Sequence, residues 1–194
     1  QVNAGGGYLM DAVAAAWIGF SLAGSGKPNA LGTLVGAVIL GVLSNGLIYM
    51  GNDGEELKTF CTRDGAGMRA LLNAGIEIAI ITGRNSRIVS DRMKSLGVQH
   101  LVQGADQKLP HFEALLTKLG LDASQAAYMG DDTIDLPVMQ ACGLGIAVAD
   151  AHPLVLAKAD LVTRLGGGVG AVREVCDLIL QAQGLADYQP EASR

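Results

Sequence analysis

Charge is what the first quarter of this chain lacks. Residues 1–51 carry only Asp11 and Lys27, although the full 194 residues hold 14 Lys+Arg and 19 Asp+Glu. The acidic balance, a net charge of −5, argues against non-specific nucleic-acid binding, which needs a basic surface. Cysteine is scarce as well. Cys61, Cys142 and Cys176 are odd in number, far apart and outside any CxxC spacing. That pattern argues against a disulfide framework and suits a reduced, cytoplasmic domain. The chain opens on Gln1 rather than Met, and no basic region precedes its apolar stretch. A signal peptide is therefore not expected, whereas a fragment incomplete at its N-terminus is.

Long apolar runs are present where charge is absent. Residues 31–50 are uncharged and long enough to cross a bilayer core, which takes about 20 helical residues. Gly32-x-x-x-Gly36 is the spacing that lets two membrane helices approach. Residues 12–26 form a shorter uncharged run rich in Ala and Gly. This composition makes membrane association through residues 8–50 one expectation. The other is a buried strand or helix, since periodicity alone does not separate the two. On that reading residues 34–40 would supply a strand of a sheet covered on both faces. Gly5-Gly6-Gly7-Tyr8-Leu9-Met10-Asp11-Ala12-Val13-Ala14-Ala15 and Gly32-Thr33-Leu34-Val35-Gly36-Ala37 resemble the C-terminal part of sugar ABC transporter permeases. The resemblance implies a permease-like segment over residues 1–45.

From residue 47 the pattern changes. Two short runs around Gly51-Asn52-Asp53-Gly54 read as a β-hairpin over 47–60. Helices are expected over 68–74, 86–96, 111–119, 134–141 and 169–183, several closed by a glycine such as Gly75, Gly97 or Gly120. Strands are expected over 76–81, 126–129, 146–148 and 161–163. Alternating strands and helices give an α/β fold: a Rossmann-like parallel sheet with helices on both faces, carrying in addition the apolar N-terminal segment. The polar residues 185–194, which include Pro190, are expected to form a mobile tail.

Three motifs carry chemistry. Thr82-Gly83-Arg84 ends a hydrophobic strand, so the Thr82 hydroxyl and the following N–H groups can hold phosphate oxygens. Lys108 is a compact positive charge able to neutralise a phosphoryl group. Gly130-Asp131-Asp132 ends another strand with two hard-oxygen ligands suited to Mg²⁺. Each also has a structural reading: a strand end, a solvated lysine, a helix cap. Their order, at the ends of different strands, favours the joint one.

Residues 46–184 resemble the 3-deoxy-D-manno-octulosonate 8-phosphate phosphatases of the haloacid dehalogenase-like superfamily. The resemblance rests on Gly54-Glu55-Glu56-Leu57-Lys58, Arg63-Asp64-Gly65, Ile80-Ile81-Thr82-Gly83-Arg84, Tyr128-Met129-Gly130-Asp131-Asp132 and Val148-Ala149-Asp150-Ala151-His152-Pro153. It implies phosphate binding by Thr82 and Lys108 and a metal ligand at Asp131, beside Asp132. It implies substrate contacts around Arg63, Asp64, Gly65, Arg69, Arg84 and Arg92. It further implies a Mg²⁺-dependent homotetramer, held by the hairpin, that hydrolyses a sugar-acid phosphate. The departure lies in Ala37-Val38-Ile39-Leu40-Gly41. The family's nucleophilic Asp aligns with Val38 and its acid/base Asp with Leu40. The expected function is thus a phosphatase of this type, inactive as written; the alternative is a permease fragment fused to a non-catalytic phosphatase domain.

Overall fold

The computed structural model describes residues 37–41, 48–50 and 56–185. In chain order these form β1 (Ala37–Leu40), β2 (Ile48–Met50), β3 (Glu56–Lys58), α1 (Thr62–Asn73), β4 (Glu77–Ile81), α2 (Arg87–Leu96) and β5 (His100–Val102). There follow α3 (Lys108–Leu119), β6 (Ala126–Gly130), α4 (Leu136–Ala141), β7 (Leu144–Ala147), α5 (Pro153–Leu156), β8 (Leu161–Val162) and α6 (Ala171–Ala182). A 3₁₀ turn, Thr133–Asp135, precedes α4.

Among the described residues, six strands make one sheet in the order β5-β4-β1-β6-β7-β8. Every pairing in it is parallel, as expected where helical crossovers link apolar strands. Its centre is β1. Leu40 lies opposite Ile80 of β4 and Met129 of β6 and is 1 % exposed. The expected membrane helix over 31–50 is therefore corrected where it is described: residues 37–40 are a central strand, and 48–50 pair antiparallel with β3. The physical reason is that an uncharged run satisfies a doubly covered strand as well as it satisfies lipid. No helix among the described residues is long and apolar enough to cross a membrane. The rest of the permease-like segment, residues 1–36 and 42–45, and the tail residues 186–194 lie outside the described residues.

The hairpin appears as expected, Ile48 opposite Lys58. Other elements differ in extent. α1 begins at Thr62, six residues before the expected start, because Gly65 and Gly67 hide a helix in the sequence. They serve contact rather than propensity. A Cβ at Gly65 would stand 2.6 Å from Arg92 Nη2, and one at Gly67 would stand 3.0 Å from Cys176 Cβ. The missing side chains let α1 lie close to α2 and α6. β5, absent from the sequence reading, is a three-residue strand pairing with β4 alone. Buried Leu71, Ile78, Ile80, Ile81, Phe112, Met129 and Ile146 fill the core around the sheet, and that core fixes the strand ends where the chemistry-bearing residues stand.

Candidate active site at the carboxyl end of the sheet

Thr82 directly follows β4 and Asp131 directly follows β6, on either side of β1. Both lie at the same end of the sheet, two positions past Ile80 and Met129, the partners of Leu40. Open α/β sheets bind ligands at this end.

Thr82 is fixed by its backbone. Its N–H donates to Val102 O at 2.9 Å and its carbonyl accepts from Ala105 N at 3.0 Å. The hydroxyl accepts from Arg84 N at 3.3 Å. Gln103 braces the following turn, accepting from Ser86 N at 2.6 Å and donating to Ser86 O at 3.2 Å.

Lys108 opens α3, three residues earlier than the helix expected there. It is not a solvated lysine. Only 5 % exposed, it places Nζ 2.7 Å from Asp135 Oδ1. Asp135, absent from the sequence-derived set, is the hub of the site. Fully buried, it accepts from Tyr128 OH at 2.5 Å on Oδ1 and from Asp131 N and Asp132 N at 3.2 and 3.3 Å on Oδ2. Burial, and then the Asp135 charge, push the Tyr128 hydroxyl far above its ordinary range, so it stays a donor. Two glycines make room for this hub: a Cβ at Gly130 would lie 2.4 Å from Asp135 Cβ, and one at Gly41 would lie 2.8 Å from both Asp135 Oδ1 and Tyr128 OH.

Asp131 is open to solvent as a residue. Lost hydration at its carboxyl, and next the neighbouring Asp135, push its pKa up to about 6, with Lys108 pulling the other way. Its carbonyl accepts from His152 N at 2.8 Å, which ties in the loop after β7. Asp132 is occupied differently. Its Oδ1 accepts from Thr133 N at 2.6 Å and Thr133 Oγ1 at 3.3 Å, capping the 3₁₀ turn. Of the two expected metal ligands, Asp131 is therefore the one whose carboxylate is not spent on a cap. No group of three His, Cys, Asp or Glu among the described residues is placed to hold a metal. The donor set fits Mg²⁺ in part: this ion accepts a site with one or two carboxylates completed by water and substrate oxygens.

The expected substrate contacts divide. Arg84 is exposed beside Thr82. Arg92 packs over Gly65. Arg63, at the start of α1, donates to Val169 O at 3.2 Å. Arg69 donates to Ser95 O at 2.8 Å, in the last turn of α2 and away from the site end. Asp64 is 5 % exposed, and its Oδ1 accepts from Arg173 N at 2.9 Å, capping α6 from a neighbouring helix. Burial pushes its carboxyl up, while the bond from Arg173 N pulls it down.

The haloacid dehalogenase-like hydrolase family matches residues 103–167. The 3-deoxy-D-manno-octulosonate 8-phosphate phosphatase KdsC of Escherichia coli K12 is 60 % identical over 147 residues, covering 76 % of this chain and 78 % of that protein. A crystal structure of the Yersinia pestis phosphatase of the same name superposes with a TM-score of 0.78 at 53 % identity, covering 81 % of this chain and 86 % of that one. The Moraxella catarrhalis phosphatase, solved with magnesium ion, phosphate ion and KDO, gives a TM-score of 0.78 at 41 % identity over 83 % and 96 % of the two chains.

Proposed function

The chain belongs to the 3-deoxy-D-manno-octulosonate 8-phosphate phosphatase family of haloacid dehalogenase-like hydrolases, and we propose that it keeps the phosphate-holding half of the site without the attacking half. The observation that carries this is a sheet whose central strand reads Ala37-Val38-Ile39-Leu40 between two intact motifs. Phosphoryl transfer to an enzyme carboxylate needs an oxygen with a lone pair in line with phosphorus. Valine and leucine have none, and neither relays a proton.

The remaining residues have defined work. The Thr82 hydroxyl and the N–H groups after it grip phosphate oxygens, and Lys108 opposes their charge from a site where low dielectric strengthens it. Asp131 would hold Mg²⁺, whose charge supports the phosphoryl oxygens. With one carboxylate rather than two, that ion binds weakly. The ligand is a sugar-acid phosphate of the kind the family's name gives, Arg84 being the cation nearest the Thr82 turn in sequence. The hairpin of β2 and β3 supports a homotetramer, as the family resemblance implies, and the free thiols of Cys61, Cys142 and Cys176 suit a cytoplasmic location.

Calorimetric titration of inorganic phosphate into the chain, with and without Mg²⁺, tests the retained half. Saturable binding that weakens at least tenfold in Thr82→Val supports it. Equal binding by the two proteins contradicts it.

A further inference from the structure

A second cleft, of about 480 Å³, lies between the start of α1, the loop after β8 and one face of α6. Three guanidinium groups reach it from three elements: Arg63 of α1, Arg164 after β8 and Arg173 of α6. Its lining includes none of Thr82, Lys108 or Asp131. Asp131 O is bonded to His152 N, and Asp150 Oδ1 accepts from Gly167 N at 2.8 Å. The loop holding Asp150 and His152 thus links the Asp131 loop to the turn at 166–167, which follows the cleft-lining Leu165.

The guanidinium groups are held in place by carboxylates that use only part of them. Arg173 Nε donates to Asp177 Oδ1 and Oδ2, both at 2.8 Å. Arg164 Nε donates to Glu174 Oε1 at 3.2 Å. Glu174 is itself fixed, accepting from Arg164 N and Leu165 N at 3.1 to 3.3 Å, with a side chain 11 % exposed. Bonds through Nε leave the N–H groups of the terminal nitrogens to donate, since each guanidinium has five N–H groups in a planar fork. Arg63 spends Nη2 on Val169 O and keeps its other donors. Leu165 and Leu178 supply apolar wall and Gln181 a polar edge.

We propose that this cleft binds a small organic anion carrying two or more carboxylate or phosphate groups, gripped by the terminal nitrogens of Arg63, Arg164 and Arg173. Each fork matches one edge of such a group. The size suits a ligand of metabolite dimensions, for which pockets of roughly 300–1,000 Å³ are usual. Three cations against the two carboxylates of the lining leave an excess positive charge.

The test titrates citrate and pyrophosphate separately into the full chain carrying Thr82→Val, in EDTA, by calorimetry, so that carboxylate and phosphate recognition at the cleft are read apart from each other and from the Thr82 site. Saturable one-to-one binding of at least one probe is expected. In that background Arg63→Gln and Arg173→Gln should each weaken it about tenfold or more, the loss of one charge-assisted contact. Arg63 is exposed and Arg173 half-buried, and thermal melts confirm that the variants fold. Absence of saturable binding of either probe to folded protein overturns the proposal. So does binding that survives both arginine substitutions.

Discussion

Lys108 Nζ stands 2.7 Å from Asp135 Oδ1, an ion pair with both partners withdrawn from water. Such a pair is retained only when further bonds compensate its lost hydration. Asp135 has them in Tyr128 OH and the N–H groups of Asp131 and Asp132. One carboxylate therefore fixes the Lys108 ammonium and the shape of the Asp131 loop together.

Removing that carboxylate should cost far more than removing one of its donors. Asp135→Ala leaves the Lys108 ammonium buried and unpaired, a loss of about 3–5 kcal/mol. Tyr128→Phe keeps the ring and deletes one hydrogen bond, a loss of about 1 kcal/mol. Urea denaturation of the two variants checks the order.

Gly130 should not accept a methyl group. A Cβ there would lie 2.4 Å from Asp135 Cβ, so Gly130→Ala must displace the hub or the strand end. The expected loss is about 1–3 kcal/mol, with weakened phosphate binding in the same protein, read by calorimetry.

Asp131 should make stability fall as pH rises. Its folded pKa, about 6, is raised above the ordinary 3.8, so between those values the native state binds more protons than the unfolded one. Stability then declines from about pH 4 to pH 6 and levels off above. Asp131→Asn removes this slope. In EDTA the variant should be more stable than the parent at pH 7, by on the order of 1 kcal/mol after solvent screening. The difference should vanish near pH 4. Melts across that range, repeated with Mg²⁺, check both the slope and its reversal by the ion in the parent alone.

Asp64 should matter to folding and not to phosphate. Its Oδ1 caps α6 through Arg173 N, so Asp64→Ala is expected to cost about 1 kcal/mol. Phosphate affinity should be unchanged. A large loss of phosphate affinity with unchanged stability would restore the substrate-binding role that the family resemblance implies.

Where one local signal was strong, the sequence made the fold legible. Ile80-Ile81-Thr82-Gly83 and Tyr128-Met129-Gly130-Asp131 each end an apolar run abruptly, and both motifs stand at the carboxyl end of the sheet. Gly97 and Gly120 close their helices in the left-handed conformation, at φ 86° and 66°. The first turns of α1 are not legible because glycine carries a low helix propensity, while the contacts that make Gly65 and Gly67 useful are a property of the neighbouring helices. β1 stayed ambiguous for a different reason: an uncharged run carries no mark of whether lipid or protein covers it. Asp135 was the residue missed within the site. Its signal was its place four residues past Asp131 in Gly130-Asp131-Asp132-x-x-Asp135, together with a lone tyrosine, Tyr128, inside an otherwise apolar strand. Polar groups in such positions need partners, and these two are each other's.

Release of inorganic phosphate from 3-deoxy-D-manno-octulosonate 8-phosphate with Mg²⁺ tests the central claim most directly. It is measured for the chain as written and for Val38→Asp with Leu40→Asp, both checked for folding by thermal melts. The expected result is no turnover above background for the parent chain. The double variant is the smallest change able to restore any, since it returns a nucleophile and a proton relay to β1. Robust hydrolysis by the unaltered chain would contradict the account and move the attack to another acid, with Asp64 and Asp132 the first to substitute.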